Sequence, residues 1–333
     1  MTENFFKALV LDRKDGKVQA EIRRLQRDAL PEGDVLVAVA YSSLNYKDGL
    51  AVTGRGAIIR RYPMVPGIDL AGTVVESTSP EFHAGDQVLV TGCGIGEDHW
   101  GGYAQAARVR AEWLVQVPQG LSLQEAMGIG TAGFTAMLSV MALEERGMKP
   151  GGREVLVTGA AGGVGSVAVA ILAARGYRVV ASTGRPDTEP YLKALGASRV
   201  VPRSEIAAVS DKALEHERWA GAVDSVGGDT LAGILRALEH GAGVAVCGLA
   251  GGSMLQTTVF PFILRGAALL GIASSTAPRP RRVAAWERVA RDLPREALHG
   301  MMKTAALEEV PDLSRRILEG AIRGRVVIDL TPA

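Results

Sequence analysis

The hydrophobic pattern of the chain changes character near residue 121. Before that point, short apolar or alternating runs at residues 6–11, 18–22 and 34–41 predict strands, and Pro31-Glu32-Gly33-Asp34 supplies a turn. Residues 65–75 and 82–90 each read as a turn leading into a strand, so the opening third is β-rich. Two polar stretches interrupt it. Residues 42–50 begin a short helix whose first turn carries Asn45 and Tyr46, and residues 92–105 form a glycine-rich loop bearing His99. From residue 121 to about 272, helical and strand periods alternate, which predicts an α/β fold with a parallel, doubly wound sheet. Its later strands are expected at 177–182, 198–201, 222–226, 244–248 and 268–272. Beyond residue 281, helices at 286–293 and 313–321 precede a closing strand at 325–330 that rejoins the first domain. The predicted division is one domain from 1–124 and 273–333, and a second from 125–272.

One stretch of the second domain carries chemistry. Val155-Leu156-Val157-Thr158 suits a strand buried on both faces, and Val164, Val167, Ile171 and Leu172 recur at helical spacing after it. Between them a glycine turn meets the G-x-G-x-x-G pattern with one substitution: Ala160 first, Gly162 second, Gly165 third. These positions serve a tight turn, close approach of backbone to a pyrophosphate, and close helix–strand packing, with helix N–H groups aimed at phosphate oxygens. Gly162, Gly163, Val164 and Gly165 are accordingly cofactor-binding candidates. The next strand ends without the carboxylate that would accept from a free ribose 2′-hydroxyl. It offers Thr183-Gly184-Arg185, with Arg203 as a second guanidinium, and a planar guanidinium fork suits a 2′-phosphate. The expected cofactor is NADPH rather than NADH. Ligands of open α/β sheets lie beyond the carboxyl ends of the strands, which adds Leu249 and Ser274 to the candidates.

Charge and cysteines narrow the partners. Net charge is +1 over 333 residues with no long run of one sign, so nothing points to nucleic acid or an anionic membrane, and a small molecule is expected. Cys93 and Cys247 are too few for a disulfide framework or a multi-thiolate metal site, which suits a reducing compartment, the cytoplasm by default. Residues 1–7 lack the basic and apolar segments of a leader, and no apolar run approaches the roughly 20 residues of a membrane span.

Taken together, residues 42–48 (Ser-Ser-Leu-Asn-Tyr-Lys-Asp), 66–72 (Pro-Gly-Ile-Asp-Leu-Ala-Gly), 98–102 (Asp-His-Trp-Gly-Gly) and 130–137 (Gly-Thr-Ala-Gly-Phe-Thr-Ala-Met) are specific. With the glycine turn, they resemble the zinc-free quinone-oxidoreductase branch of the medium-chain dehydrogenase/reductase superfamily, and within it the acrylyl-CoA reductase group. The resemblance covers the whole chain. It implies a GroES-like catalytic domain built from both chain ends, a Rossmann domain in the middle, NADPH as hydride donor and a homodimer. It also implies cofactor contacts at Thr135, Ile263 and Arg325. Zinc members of the superfamily carry Gly-His-Glu where this chain has Gly67-Ile68-Asp69, and they add a four-cysteine lobe, so no metal is expected.

Without a Lewis acid, conjugate reduction of an activated C=C is the natural reaction, with hydrogen-bond donors at the enolate oxygen. Tyr46 matches the tyrosine that related enoyl reductases carry beside the nicotinamide, and with Asn45 it forms the candidate catalytic pair. A tyrosine of ordinary pKa about 10 acts as an acid only with a donor or positive charge beside it. Arg60 and Arg61 are candidates for CoA phosphates, and His99 is a lower-ranked substrate donor. Two alternatives stay open: transfer of electrons to quinones, and a non-catalytic NADPH-binding protein. The apolar run at 264–272 should lie at a sheet edge where two copies could join.

Overall fold

The alternating runs of the N-terminal third become β1 (Phe5–Lys14), β2 (Lys17–Gln26), β3 (Val35–Ser43), β4 (Asp69–Ser77), β5 (Gln87–Thr91), β6 (Ala106–Val109) and β7 (Val115–Gln116). The computed structural model describes residues 4–207 and 210–332; residues 1–3, part of the stretch read above for a leader, lie outside them. Between β3 and β4 the polar stretch forms α1 (Tyr46–Thr53), so the helix begins four residues later than the pattern suggested, after β3 has run on through Ser43. Then comes α2 (Leu123–Glu145), followed by the alternating segment: β8 (Glu154–Thr158), α3 (Gly163–Ala174), β9 (Val179–Thr183), α4 (Glu189–Ala194), β10 (Arg199–Pro202), α5 (Arg203–Ile206), β11 (Trp219–Asp224), α6 (Gly228–Ala237), β12 (Gly243–Val246), α7 (Phe260–Arg265) and β13 (Ala268–Gly271). The chain closes with α8 (Arg279–Asp292), α9 (Arg295–Met301), β14 (Met302–Ala306), α10 (Val310–Leu318) and β15 (Arg325–Asp329).

Two compact units result. The first, Met1–Thr131 with Ser275–Ala284 and Met301–Ala333, holds the β1–β2 hairpin and a sheet ordered β14-β15-β3-β4-β5-β7, with β6 also on β3. Its pairs are antiparallel except β14 with β15. Its core joins Leu9, Leu70, Val88 and Tyr103 to Val310, Leu313 and Ile328, so the C-terminal elements complete the hydrophobic interior begun at the N-terminus. The second unit, Ala132–Ser274 with Ala285–Gly300, holds an all-parallel sheet ordered β10-β9-β8-β11-β12-β13. This is the Rossmann strand order, with the reversal between β8 and β11.

The units differ from the division read off the sequence at three places. Residues 125–131 group with the first unit, and residues 273–274 and 285–300 group with the second. The last shift has a packing cause. Trp286, fully buried, stacks on Phe134 with centroids 6.2 Å apart, Arg288 pairs with Glu144, and Asp292 accepts from Arg175 at 3.0 Å. The sequence pattern also marks no membrane-length apolar run, yet α2, at 23 residues, is long and apolar enough to cross a bilayer. It is a core helix: 89% of its most apolar stretch is buried inside the protein. Gly130, at φ 50° and ψ −162°, divides it into two helical segments.

Candidate active site and cofactor cradle

In the catalytic unit the polar turn before α1 sits on a buried hydrogen-bond network. Asp69, fully enclosed at the start of β4, receives Ser43 Oγ at 2.5 Å, Asn45 Nδ2 at 2.8 Å, the Thr131 backbone N–H at 2.8 Å and Thr131 Oγ1 at 2.5 Å. Four donors converge on one carboxylate from β3, the turn before α1, and α2. Arg325, only 2% exposed on β15, donates from Nε to Gly128 O at 3.0 Å, from Nη1 to Leu44 O at 3.2 Å, and from Nη2 to Ser43 Oγ at 2.9 Å. The network needs Gly130. A Cβ there would stand 2.7 Å from Arg325 Nη2, Asp69 Oδ2 and Ser43 Oγ alike, and its φ lies in the left-handed range.

Asp48 fixes the turn from below, accepting the Asn45 N–H and the Ile68 N–H at 2.9 Å each. Burial, reinforced by the neighbouring Asp69, pushes its carboxyl up to about 7. Burial likewise holds the Tyr103 hydroxyl well above its ordinary range, so it remains a neutral donor, reaching Ser43 O at 3.2 Å.

On this base stands Tyr46, the first residue of α1 and 44% exposed. Its neighbours along the chain are directed elsewhere: Lys47 Nζ donates to Glu97 at 2.8 Å, and the Asn45 amide donates to Asp69. Asn45 therefore shapes the turn. Arg325, expected among cofactor contacts, is enclosed in the same network and holds the turn as well. His99 is engaged too: its Nε2 lies 2.7 Å from Arg108 O, its ring meets Trp113 edge-on at 5.0 Å, and burial lowers its pKa. Arg61 donates to Asp98 O at 3.2 Å, while Arg60 extends into solvent, 72% exposed and 3.8 Å from Asp98. Among the described residues, no group of three or more His, Cys, Asp or Glu side chains is placed to hold a metal ion. At the Gly67-Ile68-Asp69 position both carboxylate oxygens of Asp69 already receive protein donors.

The nucleotide unit supplies a separate cradle at the switch point between β8 and β11. After β8 the chain turns at Gly159 (φ 57°), and Gly162 caps the 12-residue α3. A Cβ on Gly165 would fall 2.4 Å from Gly159 O and 2.6 Å from Ala160 Cα, so only glycine lets the helix pack so close under the turn. At Gly162 a Cβ would meet just Gly159 O, at 3.2 Å; the approach from outside is open, as a phosphate requires. Gly163 and Val164 form the first turn of α3. Asp224, which the sequence did not single out, ties the strand ends together: it accepts Thr158 Oγ1 at 2.5 Å and the Gly227 N–H at 2.9 Å. Burial raises its pKa.

Beyond β9, Thr183 Oγ1 accepts the Arg185 N–H at 3.1 Å, and Arg185 Nη2 donates to Ala161 O at 3.2 Å, tying this loop to the glycine turn. Arg203, at the start of α5, lies against Gly184, where a Cβ would come within 3.2 Å of its Nη2. Thr183, Arg185 and Arg203 are thus grouped about the loop after β9, and a guanidinium fork suits a phosphate. Of the other candidates, Thr135 is buried on α2, with its carbonyl accepting Ser139 Oγ at 2.8 Å, Ser274 lies after β13, and Leu249 and Ile263 are surface residues, 62% and 67% exposed.

Comparison with known proteins agrees with this layout. Residues 31–119 match the alcohol dehydrogenase GroES-like domain, and residues 163–291 match the family described as zinc-binding dehydrogenase. Over 98% of this chain and 99% of the relative, the sequence is 54% identical to acrylyl-CoA reductase AcuI of Ruegeria pomeroyi. Two solved structures are similar throughout. The yhdH oxidoreductase of Salmonella enterica, in complex with NADP, shares 51% identity with a TM-score of 0.96, covering 98% of this chain and all of that one. The yhfP protein of Bacillus subtilis, with NAD bound, shares 47% identity with a TM-score of 0.96 over the same shares.

Proposed function

The chain belongs to the medium-chain dehydrogenase/reductase family, and from that premise we propose that it reduces the C=C of acrylyl-CoA, or of a similarly short enoyl-CoA, with NADPH. The observation that carries this reading is the 54% identity, across nearly the whole of both chains, to a relative named for that reaction. The residues of the nucleotide unit fit the cofactor: an open glycine turn at a helix N-terminus for the pyrophosphate, and Thr183, Arg185 and Arg203 for the 2′-phosphate. NADPH, when bound, supplies the hydride that adds to the β-carbon of the thioester-conjugated alkene. A proton then reaches the α-carbon, giving the saturated acyl-CoA.

Within the catalytic unit, Asp69, Ser43, Thr131 and Arg325 hold Asn45 and hence the start of α1, so Tyr46 projects from a rigid support. Tyr46 is our candidate for orienting the nicotinamide; with Lys47 and Asn45 engaged elsewhere, we assign the proton at the α-carbon to water. We further propose a homodimer in the cytoplasm. Edge strand β13 leaves Leu269 43% exposed, and Phe260, Ile263 and Leu264 of α7 are exposed beside it.

Purified protein with NADPH and either acrylyl-CoA or a quinone, followed by nicotinamide absorbance, tests the reading. Turnover confined to the quinone would replace it with the quinone reductase alternative, and no turnover with either would favour a non-catalytic NADPH-binding protein.

A further inference from the structure

The catalytic unit contains a cavity of about 560 Å³, within the range of small-molecule sites, that the buried network does not use. Cys93, Gly94, Trp113 and the 275–277 segment line it together with Arg282 and a set of charged side chains. The former are held firmly. Arg282, 2% exposed, donates to Thr91 O at 2.6 Å and Ser275 O at 3.3 Å, and the Cys93 N–H also reaches Ser275 O at 3.2 Å. Trp113 is braced between the His99 ring and the Arg110 guanidinium, 5.2 Å from its centroid.

Two further lining side chains are more exposed. Arg60 is 72% exposed and 3.8 Å from Asp98, and Arg279 reaches Glu81 at 2.6 Å with both side chains well exposed. Such surface pairs are weak and yield to a stronger anion. Two of the three lining carboxylates face cations outside the lining: Glu97 meets Lys47, and Glu112 meets Arg110 at 3.6 Å. A firmly held lining that carries an aromatic wall, with the exposed guanidiniums of Arg60 and Arg279 among its residues, matches a ligand with an amide-containing arm ending in phosphates.

We propose that this cavity takes the pantetheine arm of a CoA thioester, with Trp113 packed on the arm and Arg60 and Arg279 on the pyrophosphate. The assignment rests on the enoyl-CoA reading above. It replaces the Arg60–Arg61 pair expected from sequence: Arg61 is turned to Asp98 O, whereas Arg279, 219 positions from Arg60 in sequence, lines the same cavity. A quinone has no group for those guanidiniums.

Calorimetric titration of propionyl-CoA and of propionyl-pantetheine, with NADP present, tests the site without turnover. The wild type should bind the CoA ester at least about 10-fold more tightly, a step of one decade in Kd. In Arg60→Ala/Arg279→Ala this preference should collapse, and in Trp113→Ala both esters should weaken. Binding of NADPH, whose cradle lies in the other unit, checks folding, and Arg279→Glu alone provides a second, surface-only variant. Equal Kd values for the two esters in the wild type, or a preference untouched by the arginine variants, would overturn the assignment. Tight CoA-ester binding without acrylyl-CoA turnover would instead contradict the enoyl-CoA reading and leave the cavity standing.

Discussion

Arg185 and Arg203 look equivalent in the sequence but hold different posts. Arg185 carries a structural duty as well, because its Nη2 holds Ala161 O of the glycine turn, whereas Arg203 simply lies over Gly184. Arg203→Ala should therefore weaken NADPH by about 1.5–3 kcal/mol and leave NADH nearly unchanged, while Arg185→Ala should weaken both, NADPH more. Parallel titrations of the two cofactors decide it; equal losses for both cofactors in Arg203→Ala would remove that residue from the 2′-phosphate site. Asp48 makes a second prediction. Its folded pKa, about 7, lies above the unfolded value of about 3.9, so the stability it contributes is full below about pH 4 and is lost as pH rises through about 7. Replacing it with asparagine should flatten the fall in denaturant midpoint across that window, and wild-type and variant curves that run parallel would refute the assignment. Arg203 follows β10, whereas the proposed 2′-phosphate residues Thr183, Gly184 and Arg185 were legible because they stand at the end of β9 at a fixed offset from the glycine turn. The Asp69 network was not: Ser43, Asn45, Asp69, Thr131 and Arg325 meet from across the chain, and no local period links β4 to β15.

At the scale of elements, two glycines carry geometry that no other residue can supply. Gly130→Ala would force a Cβ onto three polar atoms at 2.7 Å and strain a left-handed φ, so a loss of about 2–4 kcal/mol is expected, visible as a lowered denaturant midpoint. An unshifted midpoint would mean that the kink in α2 is not held by this network. Gly165→Ala would separate α3 from the turn beneath it and should weaken NADPH and NADH alike. The central strands β8 and β9 announced themselves as apolar β-branched runs, as buried strands do. By contrast β14, Met-Lys-Thr-Ala-Ala, is a half-exposed edge beside β15 and has no apolar run to betray it. Nor could periodicity assign residues 285–300 to the nucleotide unit, since that depends on Trp286 meeting Phe134 and on Arg288 meeting Glu144.

For the whole molecule, the exposed apolar side chains of α7 and edge strand β13 predict association through the nucleotide unit. Sedimentation at micromolar concentration should give a dimer, and Ile263→Glu with Leu269→Lys should shift it toward monomer; a monomeric wild type would refute the interface. The central claim concerns substrate, and it meets its most direct test in steady-state kinetics with NADPH and three acceptors: acrylyl-CoA, free acrylate and a small quinone. The proposed CoA site, with Arg60 and Arg279 on the pyrophosphate, predicts a kcat/KM for acrylyl-CoA at least about 100-fold above either of the others, since binding remote from the alkene positions it for hydride transfer. Comparable values for acrylyl-CoA and free acrylate, or a quinone as the best acceptor, would contradict it.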